Sequence, residues 1–285
     1  MIMLIVPSSS SLKLAKSVAV ISGSNLSEVE RKRFPDGEMY VRILSDTLNT
    51  DVAVLGNTRS DSDILEMLLL LNAAREGGAK RVIAVIPYFG YARQHMRYKD
   101  GEPVSSKVIT QALENSSDEI ICMEIHDEQT LSFSSKPFRN LSAERSMTDH
   151  FMNRVPDYVL SPDDGGYDRA RRLAESIGTR AAYIFKKRLD PKTVEMKLPD
   201  IDFSGKSILL VDDIISTGGT IIKAIKLLRQ AGASRISVSA VHGVFARESD
   251  RIISSEVDEL AVCDTIDGPY STISVAGTIA GSLER

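Results

Sequence analysis

The feature that most constrains the fold is an internal repeat. Gly78-Ala79 recurs as Gly232-Ala233, and both pairs follow an apolar, helix-periodic run and precede a short apolar run. Farther along, Ala92-Arg93 recurs as Ala246-Arg247, at the same spacing of 154 residues. A helix–Gly-Ala–strand connection is common in proteins. Several matches in the same order nevertheless favour the duplication of one α/β domain.

The rest of the chain supports this interpretation, because strand-like and helix-periodic runs alternate along it. Strand-like runs lie near 2–6, 39–44, 52–56, 81–87, 119–125, 158–161, 181–185, 207–212, 236–242 and 260–264. Helical periodicity lies near 63–77, 104–115, 167–177, 220–231, 246–254 and 273–283. Such alternation predicts mainly parallel sheets flanked by helices. We therefore expect two tandem α/β domains, 1–143 and 144–285.

Composition narrows the class of protein. A hydrophobic content of 42% and a charged content of 26% are typical of a globular chain. The net charge of −4 gives no electrostatic reason to expect a nucleic acid partner. Cys122 and Cys263 each lie in an apolar run, which favours buried free thiols. No run has transmembrane length and the N-terminus lacks a signal pattern, so we expect a cytoplasmic protein without membrane contact.

The stretch 208–220 is the strongest functional motif. Four apolar residues, typical of a buried parallel strand, lead to Asp212 and Asp213. A turn rich in hydroxyls and glycines follows and opens an apolar helix; its members are Ser216, Thr217, Gly218, Gly219 and Thr220. Backbone N–H groups at such a helix start can bind phosphate. Adjacent carboxylates suit sugar hydroxyls or hydrated Mg²⁺, which predicts a phosphorylated sugar. A plain Gly-Gly turn beside two solvated acids is the alternative.

Two further segments of the same half carry charge. A second candidate phosphate loop, Asp163, Asp164, Gly165 and Gly166, follows the strand-like run 158–161 and opens a helix. The basic residues Lys186 and Arg188 end another strand-like run, before a polar stretch that reaches Asp202. Long loops are often lids, and cations at a lid base can neutralise a polyphosphate. A solvated basic turn would explain the same residues.

The N-terminal half carries three candidate nucleotide segments. Arg33–Glu38 contains a Pro-Asp-Gly turn beside Phe34, whose ring could stack on a purine base; a hairpin tip is the simpler alternative. Pro87–Gln94 follows a strand-like run, and its Arg93 offers a fork of donors suited to polyphosphate. His126 ends the run 119–125, where a Mg²⁺ or phosphate contact is as plausible as a surface position.

The stretch 208–220 resembles the phosphoribosyl diphosphate signature of type I phosphoribosyltransferases and ribose-phosphate pyrophosphokinases. Arg33–Glu38 and Pro87–Gln94 favour the second family, and with them the resemblance covers essentially the whole chain. It implies two tandem phosphoribosyltransferase-like (type I) domains. It also implies Mg²⁺-dependent transfer of the diphosphoryl group of ATP to the anomeric hydroxyl of ribose 5-phosphate, which releases AMP.

The resemblance also implies residue roles. Adenine is held by residues of a neighbouring subunit, in a homo-oligomer that is at least a dimer: Phe34, Asp36 and Glu38. The remaining ATP contacts are Arg93, Gln94 and His126. Mg²⁺ is held by His126 and Asp163, and the pyrophosphate loop is Asp163, Asp164, Gly165 and Gly166. Ribose 5-phosphate is held by Asp212, Asp213, Ser216, Thr217, Gly218, Gly219 and Thr220. The catalytic cations are Lys186 and Arg188.

One departure from the family pattern concerns the sugar-phosphate loop, where Ser216 occupies a position that is often Asp. Two alternatives stay open at this stage. A phosphoribosyltransferase acting on a nucleobase would give no role to Phe34 or Arg93. A non-catalytic regulatory homologue would be expected to have lost its lid cations or metal ligands.

Overall fold

The computed structural model describes residues 3–188 and 194–283, without the side chains of residues 186–188, 194 and 195. The chain divides into two compact units. The first comprises Met1–Ser142, Thr265–Asp267 and Val275–Arg285, and the second comprises Ala143–Asp264 and Gly268–Ser274. In the described ranges, no helix has both the length and the apolar character required to span a membrane.

The first unit is built on a six-stranded parallel sheet in the order β2-β1-β5-β6-β7-β8. Its elements are β1 (Leu4–Pro7), α1 (Leu12–Ser22), β2 (Asn25–Leu26), β3 (Val29–Arg33), β4 (Met39–Ile43), β5 (Asp51–Leu55), α2 (Asp61–Glu76), β6 (Arg81–Ile86), α3 (Ser105–Glu114), β7 (Glu119–Met123) and β8 (Phe138–Leu141). The central strands β5, β6 and β7 are almost continuously apolar and buried, as expected for strands covered on both faces.

The second unit repeats this topology with the sheet order β10-β9-β13-β14-β15-β16, again parallel throughout. Its elements are α4 (Glu144–Phe151), β9 (Tyr158–Ser161), α5 (Tyr167–Ile177), β10 (Arg180–Tyr183), β11 (Phe185–Arg188), β12 (Val194–Lys197), β13 (Ser207–Ile215), α6 (Gly219–Gln230), β14 (Arg235–Gly243), α7 (Ser249–Glu256), β15 (Glu259–Cys263) and β16 (Ser271–Ile273). The predicted fold class, two tandem parallel α/β domains, is confirmed.

The internal repeat is preserved in side-chain contacts as well as in topology. In the first unit Asp118 accepts a hydrogen bond from the Val82 N–H (2.8 Å) and pairs with Arg75 (2.7 Å). In the second unit Asp258 accepts from the Ile236 N–H (2.8 Å) and pairs with Arg229 (2.8 Å). The arginines and the N–H donors are each 154 residues apart in the two units. Both carboxylates have a lowered pKa because these hydrogen bonds and charges outweigh burial.

Each unit also carries a two-stranded antiparallel hairpin outside its sheet. In the first unit β3 pairs with β4, and in the second β11 pairs with β12. These two hairpins occupy equivalent places in the order of elements, directly after β2 and β10. The internal repeat therefore extends to the hairpins as well as to the sheets.

The last helix, α8 (Ala276–Leu283), differs from the domain assignment expected from the sequence. It belongs to the first unit, although the chain was expected to remain in a C-terminal domain from residue 144 to 285. The physical reason is that α8 buries its apolar side chains against α1, whose Leu14 and Val18 are themselves buried.

Cys122 and Cys263 are buried free thiols, as predicted.

Candidate active site

The strand that carries the acid pair is longer than the sequence suggested. β13 does not end before Asp212 but continues through both acids to Ile215, because it stays paired with β14 up to Ile215 and Gly243. On its other side, pairing with β9 stops at Leu210. The two carboxylates therefore lie beyond the end of β9, at the carboxyl edge of the sheet where ligands of such folds bind.

The two acids are close enough for each carboxyl group to affect the ionisation of the other. The Asp213 N–H donates to the Asp212 carboxylate at 2.9 Å. Burial, followed by the Asp213 carboxylate, raises the pKa of Asp212 to about 8, and the nearby charge of Arg169 opposes this rise only in part. A ligand that brings hydroxyl donors or a cation to this pair would favour the charged form of both carboxyl groups, which is the chemistry expected of a sugar site.

The turn after β13 is shaped for a close approach of backbone to ligand. Gly218 lies immediately before α6 and has a left-handed φ of 70°. A Cβ at this position would lie 2.9 Å from the Ile253 side chain and 3.2 Å from that of Ser249. Glycine is required here on both counts. The helix then starts with the free N–H groups that bind anions.

A supporting segment, residues 244–249, was missed by the sequence reasoning. The Ala246 N–H donates to the Ser216 carbonyl at 3.0 Å, and the buried Ser249 hydroxyl donates to the same oxygen at 2.5 Å. Phe245 and Arg247 hold left-handed φ values of 46° and 57°. Strained backbone of this kind is maintained only where its surroundings fix it. The recurrence of Ala92-Arg93 as Ala246-Arg247 was the available signal for this segment.

The second candidate loop lies next to the first. After β9, Asp163 leads into a single 3₁₀ turn, Asp164–Gly166, which passes directly into α5. This turn contacts β13. Gly166 is buried, and a Cβ there would lie 3.0 Å from the Ser161 Cβ, so a larger residue would push the turn outward. Two anion-binding geometries and an acid pair thus share one edge of one sheet.

The predicted lid base has a defined backbone. Lys186 and Arg188 belong to β11, where they pair with Met196 and Val194 of β12. The expected irregular loop is therefore at least in part an antiparallel hairpin. The side chains of Lys186 and Arg188 lie outside the described part of the structure, and their catalytic role stays a prediction.

In the first unit, hydrogen bonds connect the segment Pro87–Gln94 to the residues that follow β5. The Tyr88 N–H donates to the Asn57 side chain (2.9 Å) and the Gly90 N–H to the Thr58 hydroxyl (2.8 Å). Tyr91 has a left-handed φ of 65°, the counterpart of Phe245 in the second unit, and its hydroxyl donates to Asp61, the first residue of α2. These contacts leave Arg93 exposed and Gln94 half-buried at the carboxyl edge of the sheet.

The predicted adenine residues lie at the tip of the hairpin formed by β3 and β4. Asp36 and Glu38 are exposed there, and Phe34 is 44% exposed. A large aromatic ring left this open on a turn is available for stacking. Its one described ring contact is an edge-on approach to Tyr40, with 6.0 Å between the ring centroids.

His126 is exposed at the carboxyl end of β7. The chain turns towards it at Glu124, which has a left-handed φ of 34° and accepts a hydrogen bond from Ser142 at 3.2 Å. Across the ranges that the structure covers, no cluster of three or more His, Cys, Asp or Glu side chains forms a metal site by itself.

Comparison with known proteins agrees with this geometry. Residues 3–116 match the family model described as the N-terminal domain of ribose phosphate pyrophosphokinase, and residues 135–266 match the phosphoribosyl transferase domain. The chain is 50% identical over 266 residues to the ribose-phosphate pyrophosphokinase of Thermoplasma acidophilum, with 93% of each chain covered.

Two further relatives cover nearly the full length. The ribose-phosphate pyrophosphokinase of Methanothermobacter thermautotrophicus is 38% identical and aligns over 99% of this chain and 100% of its own. The crystal structure of phosphoribosylpyrophosphate synthetase from Mycobacterium smegmatis superposes with a TM-score of 0.86 at 28% identity, covering 100% of this chain and 98% of that one. The chain belongs to the ribose-phosphate pyrophosphokinase family.

Proposed function

We propose that this protein transfers the β,γ-diphosphoryl group of ATP to the anomeric hydroxyl of ribose 5-phosphate, forming 5-phosphoribosyl 1-diphosphate and AMP. Family membership supports the reaction class. The observation that carries the proposal for this chain is the shared edge of β9 and β13. There the acid pair and two turns suited to anions lie together on neighbouring strands. A substrate with a sugar between two phosphate-bearing ends fits that edge.

Ribose 5-phosphate is assigned to the segment after β13. Asp212 and Asp213 accept hydrogen bonds from the ribose hydroxyls. The 5-phosphate is held by the backbone N–H groups and hydroxyls of the turn, namely Ser216, Thr217, Gly218, Gly219 and Thr220. The left-handed Gly218 and the start of α6 support this assignment, because they present N–H donors without a side chain in the way.

The diphosphate is assigned to the neighbouring turn, whose members are Asp163, Asp164, Gly165 and Gly166. We assign Mg²⁺ contacts to His126 and to Asp163, each alongside phosphate oxygens of the nucleotide. When bound, the ion neutralises charge on the transferred group and fixes its orientation. The small number of protein ligands is the reason for preferring Mg²⁺ to a metal that requires a complete protein cage.

The nucleotide is assigned to the first unit. Phe34 stacks on adenine, and Asp36 and Glu38 accept hydrogen bonds from its amino group. Arg93, Gln94 and His126 contact the phosphate chain. We assign the adenine contacts to a neighbouring subunit, so the active enzyme is at least a dimer. The exposed position of Phe34 on a closed tip supports an intermolecular contact.

The chemical step requires no covalent enzyme intermediate. The anomeric oxygen attacks the β-phosphorus, the bond from that phosphorus to the bridging oxygen of AMP breaks, and the hydroxyl proton is released. The transition state is rich in negative charge, so positioning and charge neutralisation supply most of the rate. We assign the neutralising cations to Lys186 and Arg188 on β11.

The test is to incubate the protein with ATP, ribose 5-phosphate and Mg²⁺ and to resolve the nucleotides. AMP formed in equal amounts with 5-phosphoribosyl 1-diphosphate supports the proposal. ADP as the nucleotide product would indicate transfer of a single phosphoryl group. Turnover of 5-phosphoribosyl 1-diphosphate with a free nucleobase, without turnover of ATP, would assign the protein to the base transferases instead.

A further inference from the structure

The hairpin formed by β3 and β4 stands outside the parallel sheet, so something else must fix its position. Its base is held by apolar packing, since Val29, Val41 and Ile43 lie against the core of the first unit. The tip has no such contacts, because every residue from Lys32 to Glu38 is exposed. Apolar packing therefore anchors the base and leaves the direction of the tip undetermined.

The tip itself is closed by its own hydrogen bonds. The Phe34 N–H donates to the Glu38 carbonyl (2.9 Å), and the Gly37 N–H donates to the Phe34 carbonyl (2.8 Å). The Glu38 N–H donates to the Asp36 carboxylate at 3.2 Å. A tip closed in this way moves as one body with the strands that carry it. Whatever orients β3 also orients Phe34.

Two arginines of β3 connect the strand to one face of α2. Arg31 donates through Nε to the Glu66 carboxylate at 2.6 Å, and Arg33 donates to the Ser62 hydroxyl at 3.2 Å. Residues two apart on a strand are separated by about 6.6 Å, and residues four apart on a helix by about 6 Å. The two spacings match, so both arginines of β3 can reach α2 at the same time, while β4 is the strand of the hairpin that packs directly against that helix.

Of the two contacts between β3 and α2, the one between Arg31 and Glu66 is the stronger. The Glu66 side chain is buried, with 4% of its surface exposed, and it also accepts hydrogen bonds from the N–H (2.9 Å) and hydroxyl of Ser9, in the turn after β1. Arg31 donates a further hydrogen bond to the Pro7 carbonyl at the end of β1. A buried carboxylate thus joins the hairpin, α2 and the sheet through charged hydrogen bonds, which are stronger than neutral ones.

Other ion pairs on the hairpin have a different character. Glu30 approaches Lys32 at 3.7 Å and Arg42 at 3.8 Å, with all three side chains at least 40% exposed. Pairs of this kind contribute little because solvent screens them. Arg42 therefore provides a matched control: it is an arginine on the same hairpin, paired with a carboxylate, but without a buried partner.

We propose that Arg31 and Glu66 are positioning residues that set the direction of the adenine-binding tip. This inference rests on the proposed function, in which Phe34, Asp36 and Glu38 hold the adenine of ATP. Neither Arg31 nor Glu66 is among the residues assigned to the nucleotide. They act by connecting β3 to α2, and this connection fixes the position and the orientation of Phe34 at the closed tip.

The experiment compares Arg31→Met and Arg31→Lys with Arg42→Met in the full-length enzyme. Arg31→Met removes the charged head and keeps the stem. Arg31→Lys keeps the charge but cannot reach Glu66 and the Pro7 carbonyl at the same time, and because it is the milder change it guards against a folding defect. The KM for ATP, the KM for ribose 5-phosphate and kcat are measured for each variant.

We expect Arg31→Met to raise the KM for ATP by about tenfold, with Arg31→Lys raising it less, equivalent to a loss of ~1.4 kcal/mol in the stronger case. The KM for ribose 5-phosphate and kcat should stay within about twofold. Arg42→Met should leave all three constants unchanged. Equal increases in both KM values, an effect on kcat alone, or the same effect from Arg42→Met would overturn the inference.

Phe34→Ala separates a failure of this inference from a failure of the proposed function. If Phe34→Ala raises the KM for ATP and the Arg31 variants do not, the positioning role is wrong and the adenine assignment stands. If Phe34→Ala leaves the KM for ATP unchanged, the adenine assignment fails and the positioning role fails with it. Absence of AMP formation by the unaltered enzyme would instead refute the proposed function.

Discussion

The carboxyl of Asp212 offers a quantitative test of the sugar-phosphate site in the absence of substrate. Its pKa rises from 3.8 to about 8 because it is half-buried and lies beside Asp213. In the folded protein it keeps its proton at neutral pH, whereas in the unfolded chain it ionises near pH 4. Folding stability that is fully present below about pH 4 is therefore lost as the pH rises towards 8.

The magnitude follows from the shift. Each pH unit between the unfolded and the folded pKa costs ~1.4 kcal/mol. Between pH 5 and pH 7 the cost grows by an upper limit of ~3 kcal/mol, and solvent access to this half-buried group reduces it to about 1–3 kcal/mol. Asp212→Asn keeps the shape of the side chain and removes the charge. It should therefore stabilise the free protein at pH 7 and have little effect near pH 4.

The assay is urea unfolding of the wild type and Asp212→Asn at pH 5, 7 and 8. Asp157→Asn is the control with opposite sign, because hydrogen bonds from the Ser207 N–H and hydroxyl lower the pKa of Asp157. Its stabilising contribution is present above the unfolded pKa and is lost in acid, so this variant should be destabilised at pH 7. A stability gain for Asp212→Asn that does not change with pH, or a loss at pH 7, would refute the reasoning.

Three further predictions concern the two units. Lys186→Ala and Arg188→Ala should each lower kcat by about 100-fold or more, with smaller changes in either KM, as for other groups that stabilise transition-state charge; near-normal turnover in either variant would exclude that residue. Gly218→Ala should cost about 1–3 kcal/mol in chemical denaturation and raise the KM for ribose 5-phosphate, since its φ is left-handed and its Cβ would crowd neighbouring side chains. Asp118→Ala should destabilise by about 1–3 kcal/mol without changing the KM for ATP, because the Val82 N–H loses its acceptor; a selective change in that KM would show that Asp118 is more than structural.

Much of the architecture could be predicted from the sequence because the signals are local. β6 and β14 are apolar runs that follow Gly-Ala turns, and in the structure their first residues, Arg81 and Arg235, are 154 residues apart. The acid pair and its glycine turn were also visible, since strand, turn and helix start are contiguous. The geometry of a contiguous motif is determined mainly by its own local sequence.

The features that escaped prediction depend on contacts that one element makes with another. β3 reads Val-Glu-Arg-Lys-Arg and has no strand signal of its own; it is a strand because β4 pairs with it and Glu66 holds Arg31. β13 passes through two acids because β14 continues beside it. The helix α8 joins the first unit because of the apolar face of α1. In each case the partner belongs to another element of the fold.

The central claim is diphosphoryl transfer to the sugar hydroxyl, and it is tested most directly by an isotope. Ribose 5-phosphate labelled with ¹⁸O at its anomeric hydroxyl is incubated with ATP, Mg²⁺ and the protein, and the products are resolved by mass spectrometry and ³¹P NMR. We expect AMP and an equal amount of 5-phosphoribosyl 1-diphosphate whose bridge between C1 and phosphorus is labelled to the same degree as the ribose 5-phosphate that remains. Formation of ADP, a lower label in that bridge than in the remaining substrate, or absence of turnover would contradict diphosphoryl transfer to the sugar hydroxyl.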